Sequence, residues 1–344
     1  NRKVQQFRTA LQNPRYDPLP LAQELYGILV GPVAKDLEDA KAETLMWSLD
    51  GTLRYLPVAA LHDGRQYMVE KYRNTLFTPA SQSRLERPPS ALWRGLGLGV
   101  SKSAVPLPFV VDELHGIIRD DSDKASADGV LAGRIMLDDT FTKDAMKAAL
   151  RQSKGFSLVH IASHFVFKPG NETDSYLLLG GSATDKDEDK QLTLAEIKRA
   201  PNLFRGVELL TLSACNTGVG NGTEGAGAEV ENFGVLAQLK GARAVIATLW
   251  RVNDKSTMRL MRTFYQLHSD RPSAPKAEAL RQSQLSLLRG PTVTAAQEPS
   301  RSGDAANGVA DQLDAGLLPF KADPRAPYAH PYYWAPFILI GNWR

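Results

Sequence analysis

The sequence predicts an α/β fold in which a mainly parallel central sheet is flanked by helices. Short apolar runs typical of strands alternate with segments of helical periodicity along most of the chain. The strand-like runs are apolar at consecutive positions, which is typical of strands that are buried on both faces of a parallel sheet. With 344 residues, 43% of them hydrophobic, the chain is long enough to bury one large core or two smaller ones.

The N-terminal part is predicted to form an α/β portion of its own. A helix is expected over 21–37, followed by two apolar runs joined through Asp50 and Gly51, a dipeptide that favours tight hairpin turns. Polar residues and prolines then indicate a boundary near residue 88. We therefore expect an N-terminal α/β portion over 1–88 and a larger domain over 89–344.

The larger domain alternates strands and helices up to its C terminus. The predicted elements are strand GLGLGV, helix VVDELHGIIRD, strand RIMLDD, a helix capped by Thr142, strands FSLVHIAS and VELLTLSA, helix AEVENFGVLAQLKG, strand ARAVIATLW, helix KSTMRLMRTFYQLH and strand WAPFILIG. Polar composition predicts an exposed loop over 183–191 and an exposed insertion over 291–326.

Charge and hydropathy exclude several classes of protein. The 41 Lys and Arg nearly balance the 38 Asp and Glu, and a net charge of +3 does not indicate direct binding of nucleic acid. No stretch reaches the roughly 18 continuous apolar residues of a membrane span, and the first residues lack the apolar core of a signal peptide. We therefore expect a cytoplasmic protein without membrane contact.

Cys215 is the single cysteine of the chain, so disulfides within the chain and thiolate metal clusters are excluded. Ligand sites in parallel sheets collect beyond the carboxyl ends of the strands. Cys215 follows one apolar strand and His164 follows the preceding one, so that neighbouring strands about 5 Å apart would bring thiol and imidazole together. The alternative is a buried cysteine that only fills the core.

A neighbouring imidazole is what a cysteine nucleophile needs. A free thiol has a pKa of about 8.5 and is only slightly ionised at neutral pH, whereas a histidine can take its proton and later protonate the departing amine. Backbone N–H groups near Cys215 and after His164 could stabilise the oxyanion. His160, four residues before His164 on the same strand face, is instead predicted to be a hydrogen-bonded core residue.

A nucleotide site and a metal site are the competing interpretations. Gly220, Gly222 and Gly225 spell the dinucleotide-binding pattern, but the pattern begins several residues after the strand, and Glu224 would oppose a pyrophosphate. A loop bordering a substrate cleft explains these glycines better. Because one cysteine without an H-E-x-x-H pattern offers no zinc ligand set, neither a metal nor a cofactor is expected.

Five blocks of the sequence together are similar to one family. They are HIASHFVF, LTLSACNTG, GARAVIATLWRVND, MRLMRTFYQLH and HPYYWAPFILIG. From about Leu21 to its end the chain resembles the CHAT family, caspase-like domains that are associated with tetratricopeptide repeats and related to separase. The resemblance implies a caspase-like fold and a cysteine endopeptidase in which His164 is the base, Cys215 the nucleophile, and the amides of Phe165 and Cys215 the oxyanion hole.

The resemblance also implies a substrate preference and partners. Separase-like peptidases hold a basic residue before the cut bond with an acid that Asp254 resembles, and Trp250 would form a wall of the same S1 pocket. The alternatives are a helix-capping Asp254 and a core Trp250. The expected partners are a protein substrate and a regulatory protein or tetratricopeptide-repeat module. Phe165 stands where the family usually has glycine, which favours the rival hypothesis of a caspase-like interaction module without turnover.

Overall fold

The computed structural model describes most of the chain and leaves a few segments out. The described residues are 1–85, 93–152, 155–168, 170–182, 184–216, 226–250, 252, 254–290 and 317–344, of which 214–216, 226–232 and 254 are described by their backbone alone. The predicted domain boundary near residue 88, the three glycines of the nucleotide pattern and most of the predicted insertion lie outside the described residues.

The helices cover both faces of one sheet. The α-helices among the described residues are α1 (Arg2–Gln12), α2 (Leu19–Leu29), α3 (Ala34–Asp39), α4 (Met68–Lys71), α5 (Val110–Ile117), α6 (Lys143–Leu150), α7 (Leu194–Arg199), α8 (Ala226–Leu239), α9 (Asp254–Asp270) and α10 (Lys276–Arg289). Thr142 caps α6 as predicted, because its hydroxyl accepts a hydrogen bond from the amide of Ala145. None of the described helices is long and apolar enough to cross a membrane.

The strands form one sheet, and their order across the sheet differs from their order along the chain. They are β1 (Thr44–Trp47), β2 (Arg73–Leu76), β3 (Gly95–Gly99), β4 (Ile118–Arg119), β5 (Leu131–Leu137), β6 (Leu158–Val166), β7 (Tyr176–Leu178), β8 (Gln191–Thr193), β9 (Leu209–Asn216), β10 (Ala244–Thr248) and β11 (Phe337–Gly341). The order is β1-β2-β11-β10-β9-β6-β3-β5-β4, and β7 joins β6 to β8. Only the β10–β11, β6–β7 and β7–β8 pairs among the described strands are antiparallel, so the predicted mainly parallel sheet is confirmed.

The central strands are buried on both faces, as the continuous apolar runs predict. Eight consecutive residues of β6 are buried. Because successive side chains point to opposite faces, Leu158 packs into the core beneath α9 and α10, whereas Val159 packs into the core beneath α6 and α8. The sheet therefore separates two apolar cores and holds its strand ends in fixed register.

Two details of the predicted N-terminal portion are wrong. The helix expected over 21–37 is divided into α2 and α3 by a 3₁₀ turn at Gly31–Val33, where Pro32 has no N–H for an α-helical hydrogen bond. The hairpin at Asp50 is absent from the described structure, because the Asp50 carboxylate caps a 3₁₀ turn over Gly51–Tyr55. The partner of β1 is instead β2, which runs parallel to it.

Candidate active site

The structure places the two predicted catalytic residues opposite each other. Strands β6 and β9 are parallel neighbours, and in their register His164 pairs with Cys215 and Phe165 with Asn216. Both residues lie near the carboxyl ends of their strands. Paired strands lie about 4.8 Å apart, so the two Cα atoms are neighbours across the ladder.

His164 is held by backbone and hydroxyl groups of the loop that follows β3. Its side chain is buried, and its Nε2 lies 2.7 Å from the carbonyl oxygen of Val105 and 3.1 Å from Oγ of Ser103. A carbonyl oxygen can only accept a hydrogen bond, so Nε2 carries the proton. In the neutral imidazole this leaves the lone pair on Nδ1.

The second ring nitrogen of His164 is free among the described atoms. Nδ1 is buried and has no hydrogen-bond partner in the described part of the chain. Because Nε2 contacts the loop after β3, Nδ1 is the nitrogen left for a group on the opposite side. Cys215 stands at the paired position on that side.

Asp138 fixes the loop that holds His164. Its carboxylate accepts hydrogen bonds from the amide of Ser101 at 2.7 Å, from the Ser101 hydroxyl at 2.7 Å and from the amide of Lys102 at 3.1 Å. Partial burial alone would raise the pKa of this carboxyl, but the hydrogen bonds from Ser101 and Lys102 outweigh burial and lower the pKa below its usual value. Asp138 was not predicted from the sequence, although an acid directly after an apolar strand is a signal that could have identified it.

A buried network lies one layer below the two paired residues. His160 is fully buried, with Nδ1 2.9 Å from the hydroxyl of Tyr265 and Nε2 3.0 Å from a carboxylate oxygen of Glu113. The Tyr265 hydroxyl also lies 2.7 Å from Oγ1 of Thr211. The predicted role of His160 as a hydrogen-bonded core residue is confirmed, and its partners tie α5 and α9 to β6 and β9.

Comparison with known proteins identifies the family of the chain. The CHAT domain model matches residues 19–342, which is most of the chain. The chain belongs to the CHAT-domain family. A chain in the crystal structure of the Saccharomyces cerevisiae separase–securin complex is similar with a TM-score of 0.45 and 10% identity, over 84% of this CHAT domain and 14% of that chain. No curated protein matches the sequence.

Phe165, which stands where the family resemblance leads us to expect glycine, has its side chain in a core. The ring is 4% exposed and packs against Phe233 at 5.4 Å between ring centroids. Successive residues of a strand face opposite sides, so the ring lies on the other face of β6 from the imidazole of His164. The bulk of Phe165 therefore does not occupy the space beside that imidazole.

The two residues predicted for the S1 pocket lie after β10, the other neighbour of β9. Asp254 is the first residue of α9, and its side chain is outside the described atoms, as are Arg251 and Asn253. Trp250 is 7% exposed in the core beneath α9 and donates a hydrogen bond from Nε1 to the carbonyl of Tyr332 at 3.1 Å. The role of both residues in an S1 pocket stays a prediction.

The described atoms offer no site for a metal ion. No group of three or more His, Cys, Asp or Glu side chains in the described part of the chain is arranged as a ligand set.

Proposed function

We propose that this CHAT domain is a cysteine endopeptidase that cleaves a protein substrate after Arg or Lys. The observation that carries the proposal is the unpaired, buried Nδ1 of His164 on the strand directly beside Cys215. An imidazole in this tautomer is a proton acceptor, and the residue opposite it is the single thiol of the chain.

The proposed reaction follows the geometry around His164. Nδ1 takes the thiol proton of Cys215, and the Val105 carbonyl at Nε2 stabilises the imidazolium that forms. The thiolate attacks the substrate carbonyl carbon, and the amides of Phe165 and Cys215 donate to the oxyanion. Nδ1–H then protonates the leaving amine. A water molecule, deprotonated by the same nitrogen, hydrolyses the thioester, and no cofactor takes part.

The proposed preference for basic residues rests on the position of Asp254. This residue begins α9 directly after β10, and β10 is the neighbour of β9 on the side away from β6. A carboxylate there would bind Arg or Lys of the substrate through charge-assisted hydrogen bonds. The residue before the cut bond would thus lie on the β10 side of Cys215.

The proposal is tested with fluorogenic peptides that differ only in the residue before the cut. We expect cleavage after Arg and Lys that is abolished in Cys215→Ala and in His164→Ala. Asp254→Asn should lower kcat/KM for both basic peptides, whereas the control Asp36→Asn, an exposed acid in the first turn of α3, should leave it unchanged. Cleavage after Asp or Asn would support the peptidase assignment but contradict the role of Asp254 in the S1 pocket.

The second candidate is a protein-interaction module without turnover, which the sequence suggested through Phe165 at the position after His164. A peptidyl chloromethyl ketone with Arg at its end separates the candidates, because the Cys215 thiolate displaces chloride from it. This alkylation requires an activated thiol but no turnover. Covalent labelling that is lost in His164→Ala supports the peptidase. This holds even if a regulatory protein or repeat module must be added before labelling occurs. Absence of labelling and cleavage with such partners present would favour the module.

A further inference from the structure

A cavity of about 390 Å³ opens beside His164. Its lining includes residues 103–105 of the loop after β3, His164 and Val166 of β6, and Tyr176 and Leu178 of β7. None of these residues belongs to the proposed pocket for the residue before the cut.

The pairing of β6 places this cavity on the side away from Cys215. At its end, β6 pairs through Phe165 with Asn216 of β9 on one edge and with Leu177 of β7 on the other. The loop after β3 lies on the same side as β7, since β3 is the second neighbour of β6. The imidazole of His164 therefore stands between the thiol-bearing strand and the cavity.

The walls of the cavity are largely apolar. Tyr176 and Leu178 of β7 are half-buried and line it, whereas Leu177 between them is 1% exposed in the core. The side chain of Val105 is 48% exposed, although the carbonyl of the same residue holds His164. When an apolar side chain of a ligand covers such exposed apolar surface, the free energy of the complex is lowered.

The charged groups at the rim do not favour an ion of either sign. Lys102 and Lys190 match two of the three acids at the rim, Asp139 and Asp187. The third acid is Asp138. The Asp138 carboxylate already accepts three hydrogen bonds from the neighbouring loop. A volume of about 390 Å³ is near the lower end of ligand pockets, about 300–1,000 Å³, and suits one large side chain with part of its backbone.

The order of the strands along the sheet edge indicates which part of a substrate would lie in the cavity. In the proposed reaction, which this step assumes, the basic residue lies near the end of β10, the attacked carbonyl at Cys215 on β9, and the leaving amine at His164 on β6. A substrate chain that continues in this direction passes over His164 toward β3 and β7. We propose that the cavity binds a large apolar side chain within the first two residues after the cut bond.

The test varies the leaving-group side of the substrate. Peptides with Arg before the cut carry Phe, Leu, Gly or Asp at the first or second position after it. Phe or Leu at one of these positions should raise kcat/KM about tenfold or more over Gly, the range expected for filling an apolar pocket. Tyr176→Ser should reduce this ratio, and the control Ile28→Ser, which changes a 54% exposed residue of α2, should keep it. Equal kcat/KM for Phe, Leu and Gly at both positions would overturn the proposal, as would an unchanged ratio in Tyr176→Ser.

A binding measurement separates the failure of this proposal from the failure of the peptidase. Peptides that correspond to the leaving-group product, beginning with Phe or Gly, are titrated into Cys215→Ala with and without Tyr176→Ser. This experiment needs no turnover. Tighter binding of the Phe peptide that Tyr176→Ser abolishes supports the cavity assignment even if nothing is cleaved. Equal affinity of both peptides for Cys215→Ala overturns it, whatever the outcome of the cleavage assay.

Discussion

The carbonyl oxygen of Val105 lies 2.7 Å from Nε2 of His164 and accepts its hydrogen bond. This contact selects the tautomer, because a nitrogen that donates to a carbonyl must carry the proton. The unprotonated nitrogen is then Nδ1, which is buried without a hydrogen-bond partner among the described atoms. In the proposed reaction, this backbone oxygen would orient the imidazole as a carboxylate side chain does in a Ser-His-Asp triad.

The first prediction concerns Asp138, which positions the loop that carries this carbonyl. Asp138→Asn removes an acceptor for the Ser101 hydroxyl, and we expect kcat/KM to fall between about 10-fold and 100-fold, as for other small displacements of a catalytic group. The control is Asp36→Asn, an exposed acid in the first turn of α3 that lies outside the cavity lining. Equal activity of both variants would contradict the positioning role.

Asp138 also gives a pH dependence of stability. Its pKa is lower in the folded chain than in the unfolded chain, where Asp titrates near 3.9. The stabilisation is therefore fully present above pH of about 4 and is lost as the pH falls through the folded-state pKa. The difference in free energy of unfolding between wild type and Asp138→Asn should shrink in this acidic range, as urea unfolding at pH 7 and pH 3 will measure.

The second prediction concerns the buried network below the site. Tyr265→Phe removes the hydroxyl that contacts Nδ1 of His160 and Oγ1 of Thr211. A buried polar group left without a partner costs about 1–3 kcal/mol, so the free energy of unfolding should fall by this amount. The control Tyr55→Phe changes a half-exposed tyrosine and should stay within about 0.5 kcal/mol. If the two variants unfolded at comparable urea concentrations, then the network would not stabilise the folded state.

The residues around His164 show what sequence reasoning can and cannot reach. His164 and Cys215 were predictable because each follows a continuous apolar run, and the ends of adjacent parallel strands meet at one edge. The Val105 carbonyl was not predictable, because a backbone acceptor leaves no mark in residue type. The apolar cavity wall was missed for a related reason, since β7 has three residues, too few to show a period. The Asp50-Gly51 pattern misled, because the capping contact competes with a hairpin for the same residues.

The third prediction concerns Phe165, the residue that favours a module without turnover. Phe165→Ala should lower the free energy of unfolding by about 3–5 kcal/mol, because its ring fills the core against Phe233. Phe165→Leu keeps most of this volume and should retain kcat/KM, because the side chain faces away from His164. A gain of activity in Phe165→Leu would show that the aromatic ring obstructs the reaction.

The fourth prediction concerns His268 in the core beside Trp93. The two rings stack with centroids 3.4 Å apart, and both nitrogens of His268 are buried without a hydrogen-bond partner among the described atoms. Burial first, and the positive charge of Lys276 second, lower the pKa of His268 to about 4. In the unfolded chain the same ring takes up a proton near pH 6.5. The unfolded state therefore binds more protons between these values, and stability that is present above pH of about 6.5 is lost as the pH falls toward 4.

His268→Phe keeps the aromatic stack on Trp93 and removes this titration. Between pH 7.5 and 5.0, the loss of unfolding free energy should be smaller in the variant than in wild type by on the order of 1 to 2 kcal/mol. Burial also lowers the pKa of His330 to about 4. Because His330 is present in both proteins, part of the loss of unfolding free energy remains in both. Urea unfolding curves at the two pH values measure the difference. If the variant lost as much stability as wild type over this interval, then His268 would be protonated in the folded state, and its ring would need a hydrogen-bond acceptor that the stack on Trp93 does not provide.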